Sequence, residues 1–353
     1  MLRAIELARR APITAVKSKP RVGAVIVKKG KIIGEGYHRR YGTPHAEIDA
    51  LTRITSSPKG ATIYTTLEPC SHFGMFPPCT GAIIKAGITR VVCATRDPNP
   101  LVAEKKGITL LRKYGIRVEV GLCEQEARAT NEPFFHFHSV KKPFIAIKIA
   151  SSLDGRIAAY TGDSKWITSK VSRDFARTII RKEYQAILVG VNTVLRDDPH
   201  LGIRKRGIPD PLRIVLDSRL KTPPHAKILR DKNIIIVVGK NALRSRIISF
   251  EKKGFNIIRF PSPQIPIPAL LRCLVDNKIF SILIEGGGET IGRFLDARAV
   301  NKVYWFHAPL IIGGNDSTAS VGGKGVSKIT QALQLQKINR VPLGRDLLTI
   351  VYI

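Results

Sequence analysis

His45-Ala46-Glu47 stands at the start of an expected helix, Glu68-Pro69-Cys70 brings a thiol 25 residues beyond the histidine, and Cys79 follows after eight intervening residues, behind Pro77-Pro78. One imidazole and two thiolates make three protein ligands for zinc and leave the fourth position of a tetrahedral ion to water, which is the arrangement of a catalytic site. One zinc ion per chain is expected, held by His45, Cys70 and Cys79. As a fourth ligand Glu47 would close the site; as a proton carrier it serves a water whose pKa the metal lowers to ~7. Attack of that water on a carbon bearing an exocyclic amine, with Glu47 delivering the proton to the departing ammonia, is hydrolytic deamination. Taken singly these pieces say little, because a lone His at a helix start is mostly structural and a lone buried Cys behaves as a small hydrophobe. The combination, with each member beside a strand end or a helix start, is what points to a metal. Cys93, Cys123 and Cys273 lack such company and read as core.

A second group of motifs lies further along. Lys148-Ile149-Ala150-Ser151-Ser152-Leu153-Asp154-Gly155-Arg156 closes a strand with a Lys, an Asp and hydroxyls, and Ser164-Lys165-Trp166-Ile167-Thr168 follows shortly after. Such an ending makes a polar pocket. Val189 to Pro199 adds the paired acids Asp197 and Asp198, which could equally cap a helix or stabilise a turn. Ile282-Leu283-Ile284-Glu285-Gly286-Gly287-Gly288-Glu289-Thr290-Ile291-Gly292 reads as strand, glycine turn and helix, where backbone N–H groups can hold a phosphate. It does not fit Gly-x-Gly-x-x-Gly, which disfavours a Rossmann dinucleotide domain. A tight strand-to-helix turn would use the same glycines.

The elements that must position these residues alternate in type. An amphipathic start (Leu2, Ile5, Leu7, Ala8) precedes two strand-like runs, 22–27 and 31–37, across a Lys29-Gly30 turn, which predicts a hairpin. A helix is expected after Pro44, a strand from Ala61 to Leu67, a helix near Pro78, and further strands at Ile88 to Ala94 and Arg117 to Val120. The aromatic and basic stretch from Asn131 to Pro143 marks the expected domain boundary, and a new β-rich cycle opens at Phe144. Strand-like runs recur at 186–189, 213–216, 234–238, 281–284, 302–312 and 347–353, with helical intervals between several of them and a Pro-rich loop at 261–268. Both halves are therefore α/β.

Composition narrows the class. At 353 residues with 44 % hydrophobic content, the chain suits two globular domains, each able to bury a sizeable core. Five cysteines are too few and too scattered for a disulfide scaffold, and no apolar run approaches the ~20 residues a membrane span needs. The N-terminus reads as a helix and not as a signal peptide, so a cytoplasmic setting and no membrane partner are expected. The net charge of +31 favours an anionic partner. Residues 1–140 hold 22 Lys+Arg against 11 Asp+Glu, so the excess is spread over both halves without a basic tail and weighs against nucleic acid.

His45, Glu47, Pro69-Cys70 and Cys79 resemble the cytidine-deaminase superfamily. The long spacer from Cys70 to Cys79, in place of the common Cys-x-x-Cys, narrows this, together with Thr66-Leu67-Glu68-Pro69-Cys70-Ser71-His72 and Asp97-Pro98-Asn99-Pro100. These runs look like the deaminase half of the bifunctional riboflavin-biosynthesis deaminase/reductase family. The later motifs, with Ala308-Pro309-Leu310-Ile311-Ile312-Gly313-Gly314, resemble the reductase half in the family's order, so the likeness covers nearly the whole chain.

The resemblance implies a cytidine-deaminase-like three-layer α/β domain over residues 1–140, the zinc-dependent pyrimidine deaminase, and a dihydrofolate-reductase-like domain over 141–353 that uses NADPH. The implied chemistry is removal of an amine from a phosphoribosylamino-pyrimidine, then hydride transfer to C1′ of the ribosyl group, which opens the sugar to a ribityl chain. Carried over by motif, Lys148, Ser164, Arg181, Leu201, Arg204 and Glu285 would contact substrate. Ala150, Trp166, Thr193, Asp197, Ser218, Gly287, Gly288, Glu289, Thr290, Ile291, Gly292 and Arg293 would line the NADPH site. A small phosphorylated pyrimidine is the expected partner, nucleic acid is not, and a homo-oligomer is expected.

The chain departs from the family in places. Lys19-Pro20 stands where Asn-Pro is common ahead of the first strand, which removes an amide suited to hydrogen-bonding pyrimidine or ribose. Val102-Ala103-Glu104-Lys105-Lys106-Gly107 replaces a glycine-containing turn and could reshape a phosphate pocket, while Arg177 and Gln185 replace commoner residues near the reductase helix. The rival reading is a nucleic-acid deaminase of the tRNA type with a basic binding domain, which the zinc motif and the charge would suit. The signals from Lys148 to Gly155 and from Glu285 to Gly292 argue against it.

Overall fold

The computed structural model describes residues 1–103 and 107–353, and these divide into two units, Met1–Lys141 and Lys142–Ile353. The stretch Glu104–Lys106, part of the departure noted after Pro100, lies outside the described residues.

In the first unit, α1 (Leu2–Arg9) precedes β1 (Gly23–Lys28) and β2 (Lys31–Tyr37). The two strands pair antiparallel around Lys29 and Gly30, both at positive φ, the twist a two-residue hairpin turn requires. Then come α2 (Ala46–Leu51), β3 (Thr62–Thr65), α3 (Cys79–Lys85), β4 (Arg90–Cys93), α4 (Gly107–Lys113) and β5 (Arg117–Val120). The sheet order is β2-β1-β3-β4-β5, with β3, β4 and β5 parallel. Alternation along β1 creates three layers. Ala24 and Ile26 face a core shared with α2, α3 and α4, whereas Val25 faces α1 through Ala4 and Leu7. Glycines set how closely the helices approach: a Cβ on Gly36 would stand 2.2 Å from the Ala50 amide nitrogen, so α2 can lie directly on β2. The unit closes with α5 (Glu124–Thr130) and α6 (Glu132–Val140), so the aromatic stretch expected as a boundary is itself a helix up to Val140.

The second unit contains β6 (Phe144–Ser151), β7 (Arg156–Ala158), α7 (Lys170–Phe175), β8 (Ala186–Gly190), α8 (Val191–Asp197), β9 (Leu212–Leu216), β10 (Ile234–Val238), α9 (Arg244–Lys252), β11 (Asn256–Arg259), α10 (Ile267–Asp276), β12 (Ser281–Ile284), α11 (Gly288–Asp296), β13 (Lys302–His307), β14 (Thr318–Ala319), β15 (Gln336–Leu343) and β16 (Asp346–Tyr352). Nine strands form one sheet in the order β11-β10-β9-β8-β12-β6-β13-β16-β15, parallel from β11 through β13 and antiparallel at the last two. Its central strands are buried on both faces. Ala146, Ile187, Val215 and Ile236 pack into one core, and Ile147, Leu188, Ile214 and Val237 into the other, which is why their sequences read as unbroken apolar runs.

The differences from expectation are local. The strand foreseen from Ala61 to Leu67 spans only Thr62–Thr65, and the one foreseen from Lys302 to Ile312 stops at His307, ahead of Pro309, which has no N–H for a ladder. The edge strands β11 and β15 carry mixed, largely exposed residues whose weak alternation gives no strand signal in the sequence. The Pro-rich loop ends early, since α10 begins at Ile267 and accepts Pro268 in its first turn.

Candidate active sites

In the first unit the candidate metal ligands sit at the ends of elements that the sheet holds in place. His45 is the N-cap residue of α2, Cys79 opens α3, and Cys70 lies in the loop that leaves β3. Gly107 lets α4 close on that loop, for a Cβ there would meet the Pro69 carbonyl oxygen at 2.4 Å. The three donor atoms lie within 4.8 Å of one another. His45 Nδ1 stands 3.5 Å from Cys70 Sγ and 3.4 Å from Cys79 Sγ. The N···S edge of a tetrahedral zinc site, built from bonds of about 2.0 and 2.3 Å, is about 3.5 Å. The imidazole and both thiols therefore stand at spacings that fit zinc. The Cys79 amide donates to Cys70 Sγ at 3.4 Å, and the Cys70 thiol is held far below its ordinary value, first by the Cys79 thiol and then by His45, so one thiolate is already favoured.

Glu47 is buried in the first turn of α2, two residues past His45, and Thr65 Oγ1 donates to its Oε1 at 3.4 Å. Burial, then the neighbouring Cys70 charge, pushes its carboxyl up. Three further groups surround the centre. Asp97 is buried, accepts the Asn99 amide at 2.8 Å, and is pushed up to about 7, mainly by burial. The His38 ring meets His45 edge-on at 5.8 Å between centroids. Lys19 is exposed, and its charge acts on His38, His45 and Asp97. Asp97-Pro98-Asn99 reads locally as a turn, and only the return of the chain after β4 brings it to this centre. Cys93 and Cys273 do not join the cluster; nor does Cys123, at the start of α5.

In the second unit a cleft of about 720 Å³ opens beside the carboxyl ends of β6, β8 and β12, where open α/β sheets place ligands. Six residues named by motif as substrate contacts line it: Lys148, Ser164, Arg181, Leu201, Arg204 and Glu285. So do Ala150, Trp166, Thr193, Asp197, Gly287 and Ile291 from the cofactor set. Arg181 follows a π-helical turn, Ala176–Ile180, that aims its guanidinium at Glu285. The pair is bidentate, Nε to Oε1 at 2.7 Å and Nη2 to Oε2 at 2.8 Å, while Nη1 donates to the Gly202 carbonyl at 2.9 Å. Burial works against the Glu285 carboxylate, yet Arg181 and Lys148 together hold it below its ordinary value. Lys148 is pulled down by burial and supported by Glu285. Two cations and one anion thus leave a net positive charge at the base of the cleft.

The glycine turn after β12 divides its labour. Gly287 is the N-cap of α11 with open space where a Cβ would be, so the helix N-terminus faces the cleft and can hold a phosphate. Gly288 and Gly292 serve packing, since Cβ atoms there would meet the Ala319 and Gly322 carbonyl oxygens at 2.4 and 2.0 Å. Thr290 closes against Gly190 at the end of β8. Glu289 is exposed, Arg293 donates to the Ile265 carbonyl at 2.6 Å, and Ser218 sits past the end of β9, where its carbonyl accepts the Gly239 amide. Ser218, Gly288, Glu289, Thr290, Gly292 and Arg293 are off the cleft wall. Asp154 accepts the Ile312 and Gly313 amides at 3.1 and 2.8 Å, and so latches the loop after β6 to the glycine-bearing loop after β13. Arg173, on α7, lies over the Trp166 ring at 4.3 Å and lines the cleft, a contact no local signal in the sequence announces.

Comparison with known proteins adds the following. Residues 143–348 match the family model described as the RibD C-terminal domain, and residues 1–95 match the cytidine and deoxycytidylate deaminase zinc-binding region. The riboflavin biosynthesis protein RibD of Aquifex aeolicus is 44 % identical over 93 % of this chain and 90 % of its own length, and that of Bacillus amyloliquefaciens 40 % identical over 98 % and 93 %. Among solved structures, Acinetobacter baumannii RibD superposes with a TM-score of 0.89 at 34 % identity, covering 99 % of this chain and 97 % of its own. A Thermotoga maritima diaminohydroxyphosphoribosylaminopyrimidine deaminase/5-amino-6-(5-phosphoribosylamino)uracil reductase superposes with a TM-score of 0.86 at 35 % identity, covering 100 % and 97 %.

Proposed function

The chain belongs to the RibD family of bifunctional riboflavin-biosynthesis enzymes, a zinc-dependent deaminase joined to an NADPH-dependent reductase, and from that premise we propose which residues carry each half-reaction and on what substrate. The deaminase is assigned to residues 1–140 and the reductase to 141–353. The substrate is the phosphoribosylamino-pyrimidine that the Thermotoga protein's name implies, deaminated first and reduced second.

His45, Cys70 and Cys79 would hold the zinc, which would supply Lewis acidity and a water that is nucleophilic at neutral pH. Glu47 takes a proton from water as the oxygen adds to the amine-bearing carbon, and returns it to the nitrogen as the C–N bond breaks and ammonia leaves. The Thr65 hydroxyl steadies that carboxyl. Buried Asp97 and exposed Lys19 line the approach, the latter placed to attract the substrate's phosphate.

In the reductase half, NADPH, when bound, would supply the hydride that converts the ribosyl group to a ribityl chain, with O4′ taking up a proton as the C1′–O4′ bond opens. Lys148, Ser164, Arg181, Leu201, Arg204 and Glu285 hold the substrate, and the N-terminus of α11 with Ala150, Trp166, Thr193 and Asp197 receives the cofactor. The Arg181–Glu285 pair leaves its substrate contacts to the faces not taken up by the pair itself. The rival reading, a basic nucleic-acid-binding domain, is not favoured, since residues 143–348 match the reductase domain. No helix among the described residues is long and apolar enough to cross a membrane. A small phosphorylated pyrimidine as substrate, a homo-oligomeric assembly and a cytoplasmic setting complete the proposal.

The observation that carries it is the convergence of His45, Cys70 and Cys79 beside buried Glu47, in one chain with the Lys148–Arg181–Glu285 cleft. Turnover of the phosphoribosylamino-pyrimidine, with ammonia and NADPH oxidation followed separately, tests it. Ammonia release without NADPH and NADPH oxidation only after deamination are expected. Reduction of the aminated pyrimidine ahead of ammonia release would overturn the order.

A further inference from the structure

A second cleft, of about 660 Å³, adjoins the first in the reductase unit. Its wall is formed by His200, Arg204, His225, Lys227, Arg230 and Phe255, and no carboxylate lines it. Three of these residues, His200, Arg204 and Lys227, line both clefts. Lys227 is partly neutralised by Asp198, with Nζ to Oδ2 at 3.3 Å. Arg204 and Arg230 have no acidic partner among the described residues, so their charge is available to a ligand.

The wall is built, not incidental. Between the two clefts the backbone of 200–204 is held in an irregular path, with Leu201 and Arg204 both at positive φ. His200 Nδ1 accepts the Gly202 amide at 3.1 Å, Asp210 accepts the Ile203 amide at 2.7 Å, and Arg181 holds the Gly202 carbonyl from the other side. A larger residue at 202 would displace the neighbouring side chains, because a Cβ would meet Asp210 Oδ2 at 2.3 Å and His200 Cε1 at 2.6 Å. Of the two acids beside this wall, Asp198 is taken up by Lys227 and Asp210 accepts the Ile203 amide, and neither pairs with Arg204 or Arg230. Phe255, whose ring lies 5.6 Å from that of Phe250, adds an aromatic surface. The volume suits a small organic ligand.

We infer that this second cleft binds a phosphomonoester that also bears a planar aromatic ring, as a nucleoside monophosphate does, with the phosphate held by Arg204, Arg230 and His225 and the ring set against Phe255. His225, Arg230 and Phe255 lie outside the cleft assigned to substrate and cofactor, so the site goes beyond the reductase reading. Guanidinium–phosphate hydrogen bonds supply both affinity and orientation, and the aromatic face supplies stacking area.

Isothermal titration of the full chain with AMP, in saturating NADP⁺ so that the cofactor position is filled, tests the inference; adenosine is the control without phosphate. Arg230 and His225 are exposed and line only this cleft, so their replacement leaves the fold and the reductase cleft in place. AMP should bind, adenosine should bind at least about tenfold more weakly, and Arg230→Ala should weaken AMP about tenfold or more, the usual loss for one charge-assisted hydrogen bond. His225→Ala should act in the same direction. Absence of AMP binding at millimolar concentration, equal binding of adenosine, or AMP binding unchanged in both variants would overturn the inference.

Discussion

Glu285→Gln removes the charge that balances Arg181 and Lys148 while keeping the side chain's shape and one acceptor. Both members of the pair are nearly buried, at 14 % and 8 % side-chain exposure, and are joined by two hydrogen bonds of 2.7 and 2.8 Å. Breaking a buried pair by neutralising one partner costs ~3–5 kcal/mol, because the other charge stays desolvated and unpaired. Since Gln can still accept one bond from the guanidinium, the expected loss lies near the lower end, about 3 kcal/mol. For a unit of this size 1 kcal/mol moves Tm by roughly 2–4 °C, so the reductase transition should fall by about 6–12 °C. Calorimetry of the full chain, with the deaminase transition as internal reference, reads this directly. The pH dependence has a definite sign. Glu285 is held low in the folded state, so its contribution is complete above the unfolded value of about 4.3 and is lost as pH falls through the lower folded value. Wild type should therefore lose stability on acidification through that window, and Glu285→Gln should lack that part of the slope. NADPH oxidation should fall as well, with Lys148 losing its proton at lower pH once the supporting carboxylate is gone. A reductase transition unmoved within 2 °C would refute the reasoning that the pair is a buried charge balance.

Glu47→Gln keeps the start of α2 but removes the proton carrier, so ammonia release should drop by ~10²-fold or more while reduction of pre-deaminated substrate survives; a folded variant that loses both activities contradicts the two-site assignment. Elemental analysis should find one zinc per chain in protein purified without chelator, and Cys70→Ser should lose it and destabilise the first unit, since metal binding is linked to folding; a Cys70→Ser protein with full zinc content speaks against the ligand set. Lys19→Asn should raise the deaminase KM and flatten its salt dependence, because a point charge facing the zinc centre is removed; unchanged KM and salt slope would show that Lys19 does not meet the phosphate.

Much of the deaminase site is readable in sequence because metal chemistry demands particular residue types. Only His, Cys and carboxylates ligate zinc, so His45, Cys70 and Cys79 stand out wherever the fold puts them, and Glu47 follows from its place two residues beyond the histidine. The buried strands β10 and β12 were equally plain, since a strand covered on both faces must be apolar throughout. Other features exist only through the tertiary structure. Arg181 and Glu285 are 104 residues apart, and nothing near either one reveals the partner that fixes its charge state. Asp97 reads as a turn residue until packing buries it beside the zinc cluster and raises its pKa. The glycines at 288 and 292 look like phosphate-binding positions, yet backbone approaching from 319–323 is what excludes a side chain there. Edge strands β11 and β15 pair through backbone groups that every residue type carries, so register and neighbours, not side-chain pattern, make them strands. The physical divide is between chemistry that a side chain brings with it and burial or proximity that it acquires from residues distant in the chain.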